Sequence, residues 1–398
     1  MQALAGRRVV DFGHVWAGPF CGQILADLGA EVIRVESHGH LDVHRRAGPY
    51  PESGRDIDAS AVWIAQNRGK LSCAINLKEP RGVELALQLA GQADVVIENF
   101  RPGTLDRLGL GYDQLREANP RVVLVSLSGY GQDGPWHLYP AYGPMMDAVG
   151  GLSFAARTPE LEPQSVNGWF PDTSAALFGA LAALLGLRKA EATGSPSHFD
   201  ISEMETTIAL VPELIALAAA NRDGAGLERV HSNAVPSGEF VCVVPAEGED
   251  EWVALHVATD EQWRALAELT GAELPPHLIA GLSAPDDATA ALAVVTRTRP
   301  RDLLCEALQA RGVSAVPVLS ARDLLSDPHL EARGAFIDAN HPRARRFRSY
   351  APVIRGAQPT GNPDRAPLLG EHNRYVFEEL LGLPEAERLE LEREGVLR

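Results

Sequence analysis

The first half of the chain alternates short runs of aliphatic residues with amphipathic stretches. Aliphatic runs bounded by glycine or polar residues are typical of buried strands, and apolar residues that recur every three or four positions are typical of helices. This alternation favours an α/β fold: a Rossmann-like, mainly parallel sheet that helices cover on both faces. The predicted strands are residues 8–12, 31–36, 71–77, 93–98 and 122–127, and the predicted helices include residues 20–28 and 81–90.

Residues 167–189 combine a turn with a strongly apolar helical pattern. The turn brings one carboxylate, Asp172, to the first turn of a helix that is apolar on nearly every side. A helix of this kind is buried, so Asp172 is expected where water is scarce. Two interpretations remain open at this point. Asp172 is the N-cap of the helix, or it is a nucleophile that a ligand approaches past small neighbouring residues.

The second half of the chain has a different organisation. A strand-like segment, 198–202, and a long apolar helix, 204–220, lead through a polar linker into a region of mixed strands and helices. Residues 338–369 are rich in proline and arginine with little periodicity, which predicts an extended arm on another surface, such as that of a second subunit. The expected domains are a large domain of residues 1–220 completed by 330–398, a small α/β domain of residues 225–325, and an arm of residues 326–398 that returns to the large domain.

Composition and charge narrow the class of protein. The 398 residues, 45% hydrophobic and 22% charged, are typical of a globular protein of more than one domain. The net charge of -17 argues against a general nucleic-acid or membrane-surface binder, and an anionic ligand would need a local basic pocket. The cysteines lie far apart without a metal-binding spacing, so neither disulfides nor a metal site is expected.

The sequence also bears on localisation. The start of the chain has no signal-peptide pattern, and the apolar run 175–187 is too short to cross a bilayer. A soluble, cytoplasmic protein is therefore expected.

Three loops follow the predicted carboxyl ends of strands: residues 13–19, 98–109 and 128–136. Ligands of parallel α/β sheets bind at this edge, so the functional residues are expected there. The first β-α-β unit is similar to a dinucleotide-binding opening. Its glycines lack the GxGxxG spacing, however, and the bulky Val15 and Trp16 stand where a pyrophosphate needs bare backbone. A dinucleotide cofactor is therefore not expected.

Several longer motifs occur together in the order and spacing of one family. They are VVDFGHVWAGP, GAEVIRVES, AINLKEPRG, ADVVIENFRPGTLDRLGLGY, PRVVLVSLSGYGQDGP, PDTSAALFGALAALLGLR, FDISEMET, DLLSDPHLEARGAF and APLLGEHN. Through them the whole chain resembles the class III CoA-transferases, the family that includes formyl-CoA:oxalate and carnitine CoA-transferases. The α-methylacyl-CoA racemases are similar over the same span. The resemblance implies a small α/β domain inserted in the large one, and a homodimer whose two chains interlock.

The resemblance implies that Asp172 is the nucleophile. Its carboxylate attacks the thioester carbonyl of an acyl-CoA, and CoA passes through an aspartyl anhydride and an aspartyl-CoA thioester to a free carboxylic acid. A carboxylate suits this step because it is ionised at neutral pH and needs no general base. The amides of the first helical turn, with the glycine-rich loop, are expected to hold the oxyanion. Coenzyme A is then a substrate, and no permanently bound cofactor is expected.

The resemblance also implies particular CoA contacts. The implied CoA-binding residues are His14, Val15, Trp16, Ala17, Lys78, Asn99, Phe100, Arg101, Arg107 and Tyr142. Taken one at a time, these residues also fit ordinary surface charges, core packing and structural hydrogen bonds. The implied partners are an acyl-CoA, a carboxylic acid and a second copy of the chain, without a metal, nucleic acid or membrane.

Tyr142 separates the two related activities. Transferases of the family commonly carry Tyr at this position, whereas the racemases carry a His that is one of two opposed acid/base groups. A Tyr, with a pKa of about 10, replaces that His poorly. Transfer is therefore favoured, and a racemase or a non-catalytic CoA-binding protein are the alternatives.

The chain departs from the transferase pattern at some positions. Gly143 stands where many relatives have an acid, which puts a second carboxylate in the mechanism in doubt. The bulk of Trp16, Trp169 and Phe170 leads to the hypothesis of an acyl pocket with an apolar wall, unsuited to oxalate. Residues 231–238 occupy the place of the family's small-domain loop over the active site. Family habit suggests succinyl-CoA as the donor.

Overall fold

The computed structural model describes residues 2–51, 54–158, 161–221, 238–278, 285–356 and 365–398. They form two compact units. Residues 210–220 belong to the small unit, although the sequence places them in the large domain. The large unit is Met1–Gly150, Asn167–Ala209 and Pro328–Arg398, and the small unit is Gly151–Val166 and Leu210–Asp327.

Strands and helices alternate along the described residues. The strands are β1 (Arg8–Asp11), β2 (Glu31–Glu36), β3 (Leu71–Ala74), β4 (Val95–Glu98), β5 (Val123–Ser128), β6 (Ser197–Ser202), β7 (Phe240–Pro245), β8 (Trp252–Val257), β9 (Ser314–Pro317), β10 (Phe336–His341) and β11 (Arg345–Tyr350). The α-helices are α1 (Ala17–Asp27), α2 (Ala61–Asn67), α3 (Pro80–Gly91), α4 (Thr104–Arg107), α5 (Tyr112–Ala118), α6 (Gly143–Val149), α7 (Leu152–Ala155), α8 (Phe170–Thr193), α9 (Glu203–Ile208), α10 (Pro212–Ala220), α11 (Asp260–Thr270), α12 (Pro285–Thr296), α13 (Arg301–Gln309), α14 (Ala321–Ser326), α15 (Pro328–Ala332) and α16 (Glu385–Arg393).

The large unit is built on a six-stranded parallel sheet in the order β3-β2-β1-β4-β5-β6. Strand β1 lies in the middle, with Val9 opposite Val32 on one side and Val95 on the other. The strand order reverses between β1 and β4, and ligands of open α/β sheets bind at the carboxyl ends beside such a reversal. The predicted parallel α/β sheet is confirmed, and the loops after β1 and β4 border the expected ligand crevice.

Helix α8 packs closely against one face of this sheet. Its small residues permit the approach, because a Cβ added to Gly179 would lie 2.8 Å from the Leu127 side chain and one added to Gly186 would lie 2.4 Å from that of Val123. Helix α1 contributes to the same core. The other face of the sheet carries a second core with α3, α5 and the C-terminal residues.

One face of α8 is exposed, so the prediction of a helix buried on nearly every side is wrong. Leu177, Phe178, Leu181 and Leu185 recur at helical spacing and are between 42% and 56% exposed. The apolar run 175–187 was expected to be too short to cross a bilayer. The whole helix α8, with 24 residues, is long and apolar enough to do so by length and composition. Because 61% of its most apolar stretch is buried in the protein, α8 has the pattern of a core helix.

The predicted helix 204–220 is in fact two helices, α9 and α10. Pro212 is the first residue of α10, preceded by Val211 in a non-helical conformation. Proline has no backbone N–H and its ring clashes with the preceding turn, so it starts a helix readily and interrupts one. The interruption coincides with the point at which the chain leaves the large unit after Ala209 and enters the small unit.

The small unit contains a three-stranded antiparallel sheet, β7-β8-β9. Helices α11, α12 and α13 share its core, in which Phe240 meets Trp263 edge to face with ring centroids 5.1 Å apart. Residues 231–237, most of the loop expected over the active site, lie outside the described residues.

The C-terminal segment is more regular than expected. In place of an extended arm, β10 and β11 form an antiparallel hairpin. The Tyr350 hydroxyl donates to the Ala65 carbonyl at 2.8 Å, and the Gly69 N–H donates to the Arg365 carbonyl at 2.9 Å. The described part of this segment therefore packs on its own chain, within the large unit.

Candidate active site

The loop after β1 is held by side chains from two other segments of the chain. The Asn99 side chain accepts from the His14 N–H at 2.6 Å and donates to the His14 carbonyl at 2.7 Å. The Val15 N–H donates to Asp42 Oδ2 at 3.0 Å, and Val15 has a φ of 66°. A β-branched residue rarely adopts this left-handed conformation, which persists only where the surroundings enforce it. Asn99 and Asp42 thus fix the path of the loop.

A network of buried charges lies beneath this loop. Arg34 Nη1 is 3.1 Å from Asp11 Oδ1, and Arg34 Nη2 is 2.7 Å from Asp42 Oδ2. Lys70 Nζ is 2.9 Å from Asp11 Oδ2. These side chains are 0% or 1% exposed, and removing one member of such a set leaves a buried charge uncompensated. The network joins β1, β2 and the residue that precedes β3. Asp42 connects it to Val15, whose backbone is in the left-handed conformation.

Asp172 lies within the first turn of α8 and is not its N-cap. The N-cap position is Trp169, which makes no capping hydrogen bond through its side chain. Asp172 is 6% exposed, and its Oδ2 has no hydrogen-bond partner among the described residues. A Cβ added to Gly143 would lie 2.4 Å from this oxygen and 1.6 Å from the Gly168 carbonyl, so the tight fit around the carboxylate requires glycine at 143.

Burial raises the pKa of Asp172 to about 7. A hydrogen bond from its own backbone N–H lowers the pKa, and the negative charge of Asp147 on α6 raises it further. The carboxylate is therefore poorly solvated and more basic than that of an ordinary aspartate. Both properties favour its action as a nucleophile.

The first turn of α8 does not offer the amides expected for an oxyanion. The Phe170 N–H donates to the Asn167 carbonyl at 2.9 Å and the Thr173 N–H to the Trp169 carbonyl at 3.0 Å. Pro171 has no N–H, and the N–H of Asp172 is directed at its own carboxylate. These amides are therefore not available to an oxyanion, because Pro171 has no N–H and the other N–H groups already donate to nearby acceptors.

Glu203 is a second carboxylate in the site that the sequence reasoning missed. It is the first residue of α9, directly after β6, and is 6% exposed. Burial raises its pKa to about 8, and the charge of Asp172 adds to the increase. The acid that the resemblance places at position 143 is absent, but Glu203 supplies one from another strand end. Its position directly after a parallel strand was the signal that could have found it.

Two cavities lie at the carboxyl edge of the sheet. The first, of about 200 Å³, is lined by Asp172, Glu203 and loop residues after β1, β4 and β5, and is named the Asp172 cavity. The second, of about 420 Å³ and mostly apolar, is lined by Lys78, Ile75 and residues after β2, and is named the Lys78 cavity. His14 and Phe100 line both, with ring centroids 5.8 Å apart. Burial and the nearby Arg34 lower the pKa of His14 to about 4, so this ring is neutral.

Most of the residues predicted for the site meet at these cavities. The Asp172 cavity brings together His14, Val15, Asn99, Phe100, Arg101, Tyr142 and Asp172, and Lys78 lines the second cavity. Trp16, Ala17 and Arg107 line neither of the two. Ala17 is buried at the start of α1, and Arg107 is exposed and donates to Thr104 Oγ1 at 2.9 Å.

Trp16 instead belongs to an aromatic cluster beside α8. It stacks on Trp169 with ring centroids 4.7 Å apart, and its indole N–H donates to Thr173 Oγ1 at 3.0 Å. His44 meets both tryptophans edge-on. The cluster fixes the residues that flank Asp172 along the chain.

Comparisons with known proteins agree with this geometry. The model of CoA-transferase family III matches residues 4–373. Succinyl-CoA–D-citramalate CoA-transferase of Chloroflexus aurantiacus is 33% identical over 98% of this chain and 97% of its own length. Acetyl-CoA:oxalate CoA-transferase of Acetobacter aceti is 32% identical over 83% of this chain and 85% of its own length. The crystal structure of a CAIB/BAIF family protein from Brucella suis superposes with a TM-score of 0.82 at 30% identity, over 94% of this chain and 98% of that one.

The chain therefore belongs to CoA-transferase family III and is an enzyme of that family. The resemblance predicted from the motifs is confirmed.

Proposed function

We propose that the enzyme moves CoA from an acyl-CoA to a free carboxylic acid through covalent intermediates on Asp172. One observation carries the proposal. A buried carboxylate, with one oxygen free of hydrogen bonds among the described residues, lies in a cavity that shares a wall with a larger, apolar cavity. A carboxylate in this state attacks a thioester without a general base.

The chemistry has four balanced steps. An Asp172 oxygen attacks the thioester carbonyl, and the tetrahedral intermediate expels CoA thiolate to leave an aspartyl anhydride. The thiolate attacks the aspartyl carbonyl, releases the first carboxylate and forms an aspartyl-CoA thioester. The acceptor carboxylate attacks that thioester, which gives a new anhydride and thiolate. The thiolate then attacks the acceptor carbonyl, forming the product thioester and restoring Asp172.

The two cavities suit the two ends of an acyl-CoA. The thioester is placed in the Asp172 cavity, and the chain of the cofactor passes the wall of His14 and Phe100 into the Lys78 cavity. The Lys78 ammonium and the Arg101 guanidinium are exposed, which suits them to CoA phosphates on a chain whose net charge is -17. Asn99 acts by holding the loop of His14, while Trp16, Ala17 and Arg107 are proposed contacts outside these two cavities.

The acceptor is proposed to be larger and more apolar than oxalate. The support is the bulk of Trp169, which stands three residues before Asp172 on the chain and stacks on Trp16. The relative from Chloroflexus aurantiacus is named for the substrates succinyl-CoA and D-citramalate. This name supports succinyl-CoA as the first donor to test.

The proposal includes a cytoplasmic homodimer with interlocked chains and a small domain inserted in the large one. The support for the dimer is the exposed apolar face of α8, Leu177, Phe178, Leu181 and Leu185. Contiguous apolar surface of this kind marks protein interfaces.

Trapping the intermediate tests the proposal. The enzyme is mixed with a panel of acyl-CoAs, treated with hydroxylamine or borohydride, digested and analysed by mass spectrometry. The expected result is a mass change confined to the peptide with Asp172, absent in Asp172→Ala and retained in the control Glu205→Gln, whose carboxylate is exposed on α9. The trapped enzyme is then offered a panel of acids. Preference for oxalate contradicts the proposed pocket, and an unmodified Asp172 with solvent deuterium in the acyl chain supports a racemase instead.

A further inference from the structure

The described part of the Asp172 cavity contains two buried acids and few groups that could neutralise them. Asp172 and Glu203 both line it, each 6% exposed. No ion pair joins either one to a cation in the described residues. Arg101 lines the same cavity but is exposed, and the buried His14 ring is neutral. Two neighbouring carboxylates in this situation share a proton, because both cannot ionise without a large cost.

Hydrogen bonds hold the two acids in a fixed relation. Ser174 on α8 and Thr206 on α9 bond through their hydroxyls at 3.1 Å. The Glu203 carbonyl accepts from the Thr206 and Thr207 hydroxyls at 3.0 and 2.7 Å. The start of α9 is thus fixed beside the start of α8, and Glu203 keeps its place in the cavity.

The reaction needs a donor that the start of α8 does not supply. Attack by Asp172 places negative charge on the thioester oxygen, and enzymes hold such an oxygen with preorganised hydrogen-bond donors. The amides of the first turn of α8 are already bonded or missing. A protonated carboxyl group lining the same cavity provides an O–H in their place, as an acid kept neutral in an apolar site does.

We propose that Glu203 carries the proton of this pair and that its O–H donates a hydrogen bond to the oxygen that becomes negative when Asp172 attacks the thioester. The proton stays on Glu203 through the step, so no bond to hydrogen is broken. The inference rests on the proposed function, since it assigns a donor to the reaction at Asp172.

The pH dependence follows from the surrounding groups. Asp172 on α8 faces Glu203, and Asp147 on α6 acts on Asp172. The other titratable and charged groups that line the cavity are His14, Arg101, His137, Tyr139 and Tyr142 on the loops. Burial and the charge of Asp172 raise the pKa of Glu203. As pH rises through that value, Glu203 loses its O–H and adds a like charge next to the nucleophile. The rate of attack therefore falls on the alkaline side because of Glu203, and on the acid side because Asp172 becomes protonated.

Three variants and two readouts test the inference. Glu203→Gln keeps a donor without a charge, Glu203→Ala removes the donor, and Glu205→Gln is the matched control on the exposed side of α9. The first readout is the single-turnover rate of Asp172 modification against pH. Glu203→Ala is expected to be slower by about 10²–10³-fold, the usual effect of losing one oxyanion donor. Glu203→Gln is expected to stay within a few-fold of the wild type and to lose the alkaline decline.

The second readout is infrared spectroscopy at neutral pH, which does not depend on turnover. The carbonyl stretch of protonated carboxylic acids is expected in the wild type and in Glu205→Gln, and is expected to lose the contribution of one acid in Glu203→Gln. Burial raises the pKa of Glu98 to about 7, so this acid contributes to the same band in all three proteins. An undiminished band in Glu203→Gln, or a wild-type rate in Glu203→Ala, overturns the inference. Equal loss of rate in Glu203→Gln and Glu203→Ala also overturns it. If Asp172 is never modified in the wild type, the proposed function fails, and the infrared band still shows whether Glu203 holds the proton.

Discussion

At the scale of single residues, Asp172 is held in a state that favours reaction over stability. Its carboxylate is buried, and one oxygen lacks a hydrogen bond among the described residues. Of the N–H groups in the first turn of α8, only that of Asp172 itself is directed at the carboxylate. A buried polar group without a partner costs free energy in the folded state. Gly143 packs so closely against this oxygen that an added Cβ would lie 2.4 Å from it, which restricts relaxation around the carboxylate.

This state leads to a stability prediction for Asp172→Asn. Because the pKa of Asp172 is raised in the folded protein, the folded state binds its proton more tightly than the unfolded state does. Stability is therefore lost as pH rises from the unfolded value of about 4 through the folded value. At pH 8 Asp172→Asn is expected to be more stable than the wild type by on the order of 4 kcal/mol, and at pH 4 to be nearly equal to it.

Thermal or denaturant unfolding of both proteins at the two pH values checks this prediction. A variant that is equally or less stable at pH 8 contradicts it. Glu205→Gln, whose carboxylate is exposed, serves as the control and is expected to change stability little at either pH.

At the scale of elements, α8 shows both the strength and the limit of the sequence pattern. The helix and its buried aspartate follow from the run of small and apolar residues, and Gly179 and Gly186 are explained by close contact with β5. The pattern gives no means to separate residues that pack on the sheet from residues that face outward, since both are apolar. The exposed Leu177, Leu181 and Leu185 therefore appear only in the structure.

The exposed face of α8 carries the prediction on assembly. If a second copy covers it, Leu181→Asp places a charge in an apolar interface and is expected to shift the protein from dimer to monomer in light scattering. Leu303→Asp, at an exposed apolar residue of the small unit, is the control and is expected to leave the mass unchanged. A wild-type protein that is monomeric, or a Leu181→Asp variant that remains dimeric, contradicts this use of the face.

At the scale of the whole molecule, the sheet was predictable and the buried charges were not. Aliphatic runs at β1, β2, β4 and β5 indicate central parallel strands because such strands are buried on both faces. Arg34 lies in β2 and Lys70 directly before β3, and hydropathy alone assigns such charges to the surface. Their burial depends on Asp11, which is distant in sequence from both, and on Asp42, which lies in the loop after β2.

The candidate site shows the same limit. The loops after β1, β4 and β5 were predictable because strand ends of a parallel sheet meet at one edge. Glu203 escaped notice because β6 was not recognised as a member of that sheet. The first-turn amides were expected to be free because of their position. The sequence predicts the turn that begins at Asn167, but not the hydrogen bonds that occupy these amides.

The central claim, covalent participation of Asp172, predicts the fate of one oxygen atom. An acceptor acid labelled with heavy oxygen in its carboxylate is converted with an acyl-CoA in ordinary water, and the peptide with Asp172 is then analysed by mass spectrometry. The anhydride route leaves one labelled oxygen in the Asp172 carboxylate after a turnover and removes one from the product thioester. A product that forms while Asp172 gains no label contradicts the account, because CoA would then pass between the two acids without a bond to this residue.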